Sequence, residues 1–180
     1  MLRLYVLVLG ETGGRCESEA LWLTWEDIDL EGGFVRVVTG RNGHRTKAGK
    51  GRWVPMTPRL ATAMREHFMR YRFSAYDGKP WVLHHDRTAL RYKAGDRIKS
   101  LYDGYRRAAE RAKLPDRLTQ HNLRQRRVTE WFAEGKSPVL VKEAMGHSDI
   151  RTTMGYTHLA KEHLRALVDA PVAKREEAVS

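Results

Sequence analysis

Residues 32–58, GGFVRVVTGRNGHRTKAGKGRWVPMTP, hold two short β-branched runs separated by a long polar stretch. Gly32-Gly33 opens a predicted strand over Phe34-Val35-Arg36-Val37-Val38, and a second is predicted from Arg52 to Met56. With Thr39 to Gly51 between them, the pair predicts an antiparallel hairpin with a long tip. Thr57-Pro58 then supplies an N-cap and a proline at the first helical position, which predicts a helix to about Tyr71. Upstream, Leu2 to Leu9 reads as a buried helix, Glu17 to Leu23 as a second helix, and Trp25-Glu26-Asp27-Ile28-Asp29 as a turn. Downstream, Trp81-Val82-Leu83 suits a third strand, and helical patterns follow at about Asp96–Ala112 and at His121–Ala133. Ser137-Pro138 repeats the cap signal, and Gly146 closes that helix. Thr152 to Tyr156 is a short segment broken by Gly155, Leu159 to Val168 is a last amphipathic helix, and the polar tail from Ala170 is expected to be loose. The sum is an α+β fold: one mainly helical domain over residues 1–180 with a small antiparallel sheet.

The charge narrows the function. Thirty-three Lys and Arg against 22 Asp and Glu give a net charge of +11, which points to a polyanion, most simply nucleic acid. Its placement is uneven. Between Glu31 and Glu66 there is no acidic residue and there are eight basic ones: Arg36, Arg41, Arg45, Lys47, Lys50, Arg52, Arg59 and Arg65. A hairpin of this kind suits a phosphate backbone, and Arg124, Arg126 and Arg127 form a second basic group. The single cysteine, Cys16, excludes an intramolecular disulfide and argues for a reducing, cytoplasmic setting. The apolar run Leu4–Leu9 is too short to span a bilayer and lacks a signal-peptide cleavage pattern.

One cysteine and scattered histidines give no structural zinc spacing, and no metal or cofactor site is expected. His84-His85 reads as surface. Gly43 to Lys50 has the wrong spacing for a phosphate loop, and neither Gly-x-Ser-x-Gly nor a paired-acid motif is present. The C-terminal third is different: it carries His121-Asn122-Leu123-Arg124, then Gly146-His147-Ser148, then Gly155-Tyr156-Thr157-His158. His121 and Arg124 share a helix face. With Arg15 and Lys47 the inventory is two guanidinium groups, an ammonium, two imidazoles and a phenol. That set suits phosphoryl transfer in which cationic donors surround the phosphate. A tyrosine with its ordinary pKa of about 10 needs base assistance or cationic surroundings to attack.

Five stretches in order resemble the tyrosine recombinases, or phage integrases, across essentially the whole chain. Thr12-Gly13-Gly14-Arg15 with Ser18-Glu19-Ala20-Leu21 and Trp25 to Asp29 is similar to their first box. Thr46-Lys47-Ala48-Gly49-Lys50 with Arg52, Val54 and Pro55 is similar to their β-hairpin lysine motif. His121 to Arg124, Met145-Gly146-His147-Ser148 and Tyr156-Thr157-His158 resemble the second box and the nucleophile segment. The resemblance implies site-specific recombination of double-stranded DNA, with no metal or ATP. Tyr156 would attack a phosphodiester to give a 3′-phosphotyrosyl link and a free 5′-hydroxyl. Arg15 and Arg124 would hold the non-bridging oxygens, and Lys47 would protonate the departing 5′-oxygen, with Lys50 or Arg45 as competitors for that role. His121 would take the Tyr156 proton, and His147 would hydrogen-bond the phosphate or leaving group. Arg41, Arg45, Lys50, Arg52, Arg126 and Arg127 would contact the DNA.

Departures from the family pattern leave questions open. Both Cys16 and Glu17 precede Ser18-Glu19, a one-residue insertion that leaves either Glu17 or Glu19 as the acidic support of the site. Gln125 stands where the family usually has His, followed by Arg126-Arg127. Family members normally carry a preceding helical DNA-clamping domain, and this chain reads as beginning inside the catalytic domain. Alternatives are topoisomerase-like relaxation or transposon mobilisation by the same chemistry, or a DNA-binding module whose cleavage is impaired by truncation. The Leu159–Val168 helix either packs on its own domain or joins protomers on DNA.

Overall fold

The computed structural model describes residues 1–38, 51–71, 78–116 and 118–156. The first helix, α1 (Leu2–Thr12), is apolar on nearly every side, and Leu4, Tyr5, Leu7, Val8 and Leu9 are buried. It stops at Gly13, whose φ of 64° is left-handed and whose N–H returns to the Leu9 carbonyl at 3.0 Å. A Cβ on Gly13 would lie 2.5 Å from Met145 Sδ, so this glycine also permits a close approach between two chain segments.

Three antiparallel strands follow: β1 (Ile28–Asp29), β2 (Phe34–Val37) and β3 (Arg52–Pro55), in that spatial order. Val35 faces Val54 and Val37 faces Arg52 across β2 and β3, as the predicted hairpin requires; its tip, residues 39–50, lies outside the described residues. Alternation buries Val35, Val37 and Val54 while Phe34 and Trp53 face solvent. Next comes α2 (Pro58–Tyr71), capped by Thr57 Oγ1, which accepts from Leu60 N at 3.2 Å.

The remaining helices are α3 (Tyr102–Arg111), α4 (Gln120–Ala133), α5 (Pro138–Met145) and α6 (Ile150–Met154). A capping box starts α4: Thr119 N donates to Asn122 Oδ1 at 2.7 Å. Helix α5 begins at proline and ends at Gly146 (φ 63°), and the Asp149 side chain caps α6. Helix α1 is the hub, with α4, α2 and the turn at Ala20–Trp22 packed against it. Val128, Trp131 and Phe132 from α4, Val141 and Met145 from α5, and Leu60 and Met64 from α2 complete the core. The α+β architecture, mainly helical with one small antiparallel sheet, is the expected one.

Five expectations need correction. Glu17–Leu23 is not a helix beyond a single 3₁₀ turn at Ala20–Trp22: Arg52 holds the Glu19 carboxylate inside, and the backbone closes a wider turn with Ala20 N–H on the Arg15 carbonyl at 2.9 Å and Leu21 N–H on the Cys16 carbonyl at 3.3 Å. Asp27-Ile28-Asp29 is more than a turn: Ile28 pairs with Val35 as a strand. Trp81–Leu83 makes only an isolated bridge to Thr24, and the predicted helix over 96–112 starts at Tyr102, since Asp96 is tied to Lys79 and Lys93 N and residue 97 bridges to His84. His84 is buried, not surface: its Nδ1–H donates to the Trp81 carbonyl at 3.1 Å, and its ring lies 4.8 Å from Tyr71 and 5.6 Å from His67. Among the described residues no helix is long and apolar enough to cross a membrane.

Candidate active site

Helix ends bring the site together. Arg15 stands just past the C-terminus of α1, and Arg124 projects from the first turns of α4 into the space between α1 and α5. Arg124 is 5% exposed; its Nη1 donates to the Gly13 carbonyl and its Nη2 to the Met145 carbonyl at 2.8 Å. One guanidinium therefore ties the ends of two helices, using both carbonyls that helix termini leave without partners. His121, one turn earlier, is exposed, and it lines a cleft of about 450 Å³ with Gly14, Arg15, Ser18, Gln120 and Arg124. His147 follows the glycine that closes α5, and its Nδ1 is 2.8 Å from Thr153 Oγ1 of α6. Tyr156 follows α6, half-buried against the core, with its N–H on the Thr153 carbonyl at 3.2 Å.

Glu19 is the anchor. Its side chain is fully buried and accepts from Arg15 N at 2.8 Å, Arg15 Nη1 at 2.7 Å, Arg52 Nη1 at 3.1 Å and Arg52 Nη2 at 2.9 Å. Burial alone would raise this carboxyl, but hydrogen bonds and charge from Arg52, with help from Arg15, hold it below its ordinary range. Glu17 is exposed, so Glu19 is the acid that supports Arg15. Three guanidinium groups thus gather around one buried carboxylate, a surplus of positive charge among the described residues, beside an open cleft whose lining also includes the exposed Glu17. Burial first, and then Arg15 and Arg52, pull Arg124 down to about 10, which leaves it charged at neutral pH. Burial together with Arg124, Arg15 and Arg52 lowers His147 to about 4, so its imidazole is neutral there.

Residues 1–163 match the sequence profile of the phage integrase family. The chain belongs to that family. Tyrosine recombinase XerC of Pseudomonas entomophila (strain L48) is 30% identical over 175 residues, which cover 96% of this chain and 54% of the relative. The chain spans about half the length of the curated relatives it matches. Among solved structures, XerH site-specific recombinase bound to palindromic difH substrate in a post-cleavage complex aligns with a TM-score of 0.67 at 23% identity, over 92% of this chain and 44% of that one. The catalytic domain of bacteriophage HP1 integrase aligns with a TM-score of 0.61 at 24% identity, over 98% of this chain and 86% of that one. These likenesses establish a phage integrase fold.

Of the residues singled out from the sequence, the phage integrase fold brings Arg15, His121 and Arg124 to one cleft, with His147 held beside it through the Met145–Arg124 contact. Lys47, Arg41, Arg45 and Lys50 lie outside the described residues, as do Thr157, His158 and the 159–168 segment. Arg52, expected on DNA, is turned inward: its Nε donates to the Ala144 carbonyl at 2.6 Å and its two Nη atoms go to Glu19. Arg126 is exposed and pairs with Glu130 at 2.7 Å, while Arg127 lies 4.7 Å over the Trp131 ring and shares the same carboxylate. Sequence reasoning missed Thr153 and the paired carbonyls of Gly13 and Met145. Among the described residues no group of three His, Cys, Asp or Glu side chains converges on a metal site.

Two half-buried imidazoles carry a pH signature. His67, whose Nε2–H donates to the Val82 carbonyl at 2.8 Å, is lowered by burial to about 4, as His147 is. In the unfolded chain both take up protons near 6.5. The unfolded state therefore binds more protons between these values, and stability is lost as pH falls from about 6.5 toward 4. Urea denaturation is expected to show a midpoint lower at pH 5 than at pH 7, with a shallower fall for His67→Gln. A midpoint that holds or rises over this interval would contradict neutral, half-buried histidines.

Proposed function

We propose that this chain is the catalytic domain of a site-specific DNA recombinase that cuts and rejoins double-stranded DNA through Tyr156. The carrying observation is the cluster of Arg15, Arg52 and Arg124 around the single carboxylate of Glu19, beside an open cleft. Its surplus positive charge suits a phosphodiester whose non-bridging oxygens gain charge in the transition state. Family membership supports the same reading.

In this mechanism the Tyr156 oxygen attacks phosphorus while His121 accepts the phenolic proton. The P–O5′ bond breaks, Lys47 protonates the leaving 5′-oxygen, and a 3′-phosphotyrosyl link remains. Attack by another 5′-hydroxyl reverses these steps and joins a new strand, so bond energy is conserved without ATP or metal. Arg15 and Arg124 present planar forks to the phosphate, and His147 adds a neutral hydrogen bond. The hairpin cations Arg41, Arg45 and Lys50 contact flanking backbone, and the 159–168 segment joins protomers on DNA. The single cysteine, Cys16, suits a cytoplasmic setting for this activity.

The test is covalent trapping on nicked duplex oligonucleotides of mixed sequence, in which the short strand bearing the 5′-hydroxyl diffuses away. An SDS-resistant adduct is expected, with the nucleotide mapped by peptide mass spectrometry to Tyr156. Salt-sensitive DNA binding with no adduct would favour a binding module, and an adduct at another residue would overturn the assignment of the nucleophile.

A further inference from the structure

We infer that Thr153 sets the tautomer of His147: its hydroxyl donates to Nδ1, so the imidazole carries its single proton on Nε2 and meets an anion as a donor, not as a base. The inference rests on the proposed placement of His147 beside the phosphate. It starts from Thr153, which is fully buried in α6 with its Oγ1 2.8 Å from His147 Nδ1. A threonine hydroxyl has one proton to give and two lone pairs to receive. A buried donor left unmade costs far more than a spare lone pair. Among the described residues His147 Nδ1 is the only hydrogen-bond partner of this hydroxyl. If Nδ1–H donated to Oγ1 instead, the hydroxyl proton would be buried with no acceptor among those residues. Donation from Thr153 is therefore the arrangement that satisfies both groups, and the bond at one ring nitrogen decides the state of the other.

The surroundings favour the same tautomer. His147 follows Met145 and Gly146; Arg124 holds the Met145 carbonyl, and Arg52 lies so close that a Cβ on Gly146 would be 2.9 Å from its Nη1. An anion drawn to these guanidinium groups would meet Nε2–H as one more donor, whereas a bare Nε2 lone pair would repel it. The neutral state of the ring, imposed by burial and by Arg124, Arg15 and Arg52, leaves one proton to place. Two consequences follow. His147 does not accept the Tyr156 proton, which leaves that task to His121. Thr153 is a positioning residue for both groups at once, since its carbonyl also accepts from the Tyr156 N–H.

The experiment is a long-range ¹H–¹⁵N spectrum of the histidine-labelled chain at pH 7, with His147 assigned by its disappearance in His147→Asn. A pyridine-like Nδ1 and a protonated Nε2 are expected in the wild type. Thr153→Val, which keeps the shape and loses the hydroxyl, is expected to mix the two tautomers, and Thr153→Ser to restore the wild-type pattern. On nicked duplex, Thr153→Val is expected to slow adduct formation about tenfold at unchanged DNA affinity, and Thr153→Ser to recover it. A protonated Nδ1 in the wild type overturns the inference without any variant, as does an unaltered tautomer in a folded Thr153→Val. If the wild type forms no adduct, the proposed function falls, while the nitrogen spectra still decide this one.

Discussion

Glu19→Ala is expected to lower the free energy of unfolding by about 3–5 kcal/mol, the range for breaking a buried ion pair by removing one partner. Glu19 accepts four hydrogen bonds from a fully buried position, and two of them come from Arg52, whose side chain is only 11% exposed. Without the carboxylate, Arg52 keeps its charge and a single strong acceptor, the Ala144 carbonyl. Arg15, Arg52 and Arg124 then face one another as like charges with no shared counter-ion among the described residues. Against a total stability of about 5–15 kcal/mol for a domain of this kind, that loss threatens folding at 37 °C. Glu19→Gln retains shape and one acceptor oxygen, so its cost is expected to be smaller, about 1–3 kcal/mol. Glu17→Ala is the control: Glu17 is exposed, and its change is expected to stay within about 0.5 kcal/mol. Urea denaturation of the three variants at pH 7 checks the ranking. A Glu19→Ala midpoint equal to the wild type would mean that the cluster contributes nothing net to the fold.

Local chemistry explains which parts of this architecture were legible from the sequence. Helices α2 and α5 carry their own start signals in Thr57-Pro58 and Ser137-Pro138, and Gly146 carries a stop signal, so no tertiary information is needed. The β2–β3 pair is equally local. The failures are tertiary. Residues 17–23 have helical composition, yet Glu19 is held inside by Arg52, 33 residues further along the chain, and only a 3₁₀ turn forms at Ala20–Trp22. Trp81–Leu83 has strand composition, but its bridge is a single one, Trp81 to Thr24, and the next, His84 to Arg97, lies just beyond it. His84 is covered by Tyr71 and His67 from α2, a relation no spacing reveals. In the site, Arg15 and Arg124 were legible as cations in a motif, whereas the direction of Arg52 was overlooked. A signal for it existed: Arg52 and Val54 are two apart on one strand and share the inward face, and only the charge argued for solvent. For Thr153 no signal existed, because a threonine in a short helix has many ordinary uses.

Arg124→Lys is expected to fold, to bind DNA and to form the covalent adduct about 10²–10³ times more slowly than the wild type, the cost of removing one preorganised donor aimed at developing charge. An ammonium keeps one positive charge but carries its three donors on a single nitrogen, whereas the guanidinium spreads five N–H donors over a fixed fork that reaches Gly13 from Nη1 and Met145 from Nη2. The variant also carries a pH signature that separates it from mere misplacement. Burial, Arg15 and Arg52 together pull Arg124 from its ordinary range down to about 10. The same surroundings act on a lysine that starts about two units lower, near 10.4, and desolvation drives an ammonium toward its neutral form. A base that must stay protonated to work is lost as pH rises, so the deficit of Arg124→Lys is expected to widen between pH 6.5 and pH 8.5, where the wild-type arginine stays charged. Arg124→Ala removes the charge and leaves both carbonyls unpaired, so it is expected to lose about 2–4 kcal/mol of stability as well as activity. Single-turnover trapping across that pH interval, with thermal denaturation in parallel, distinguishes the two variants. A deficit of Arg124→Lys that is constant with pH would remove the electrostatic account and leave only the geometry of the fork.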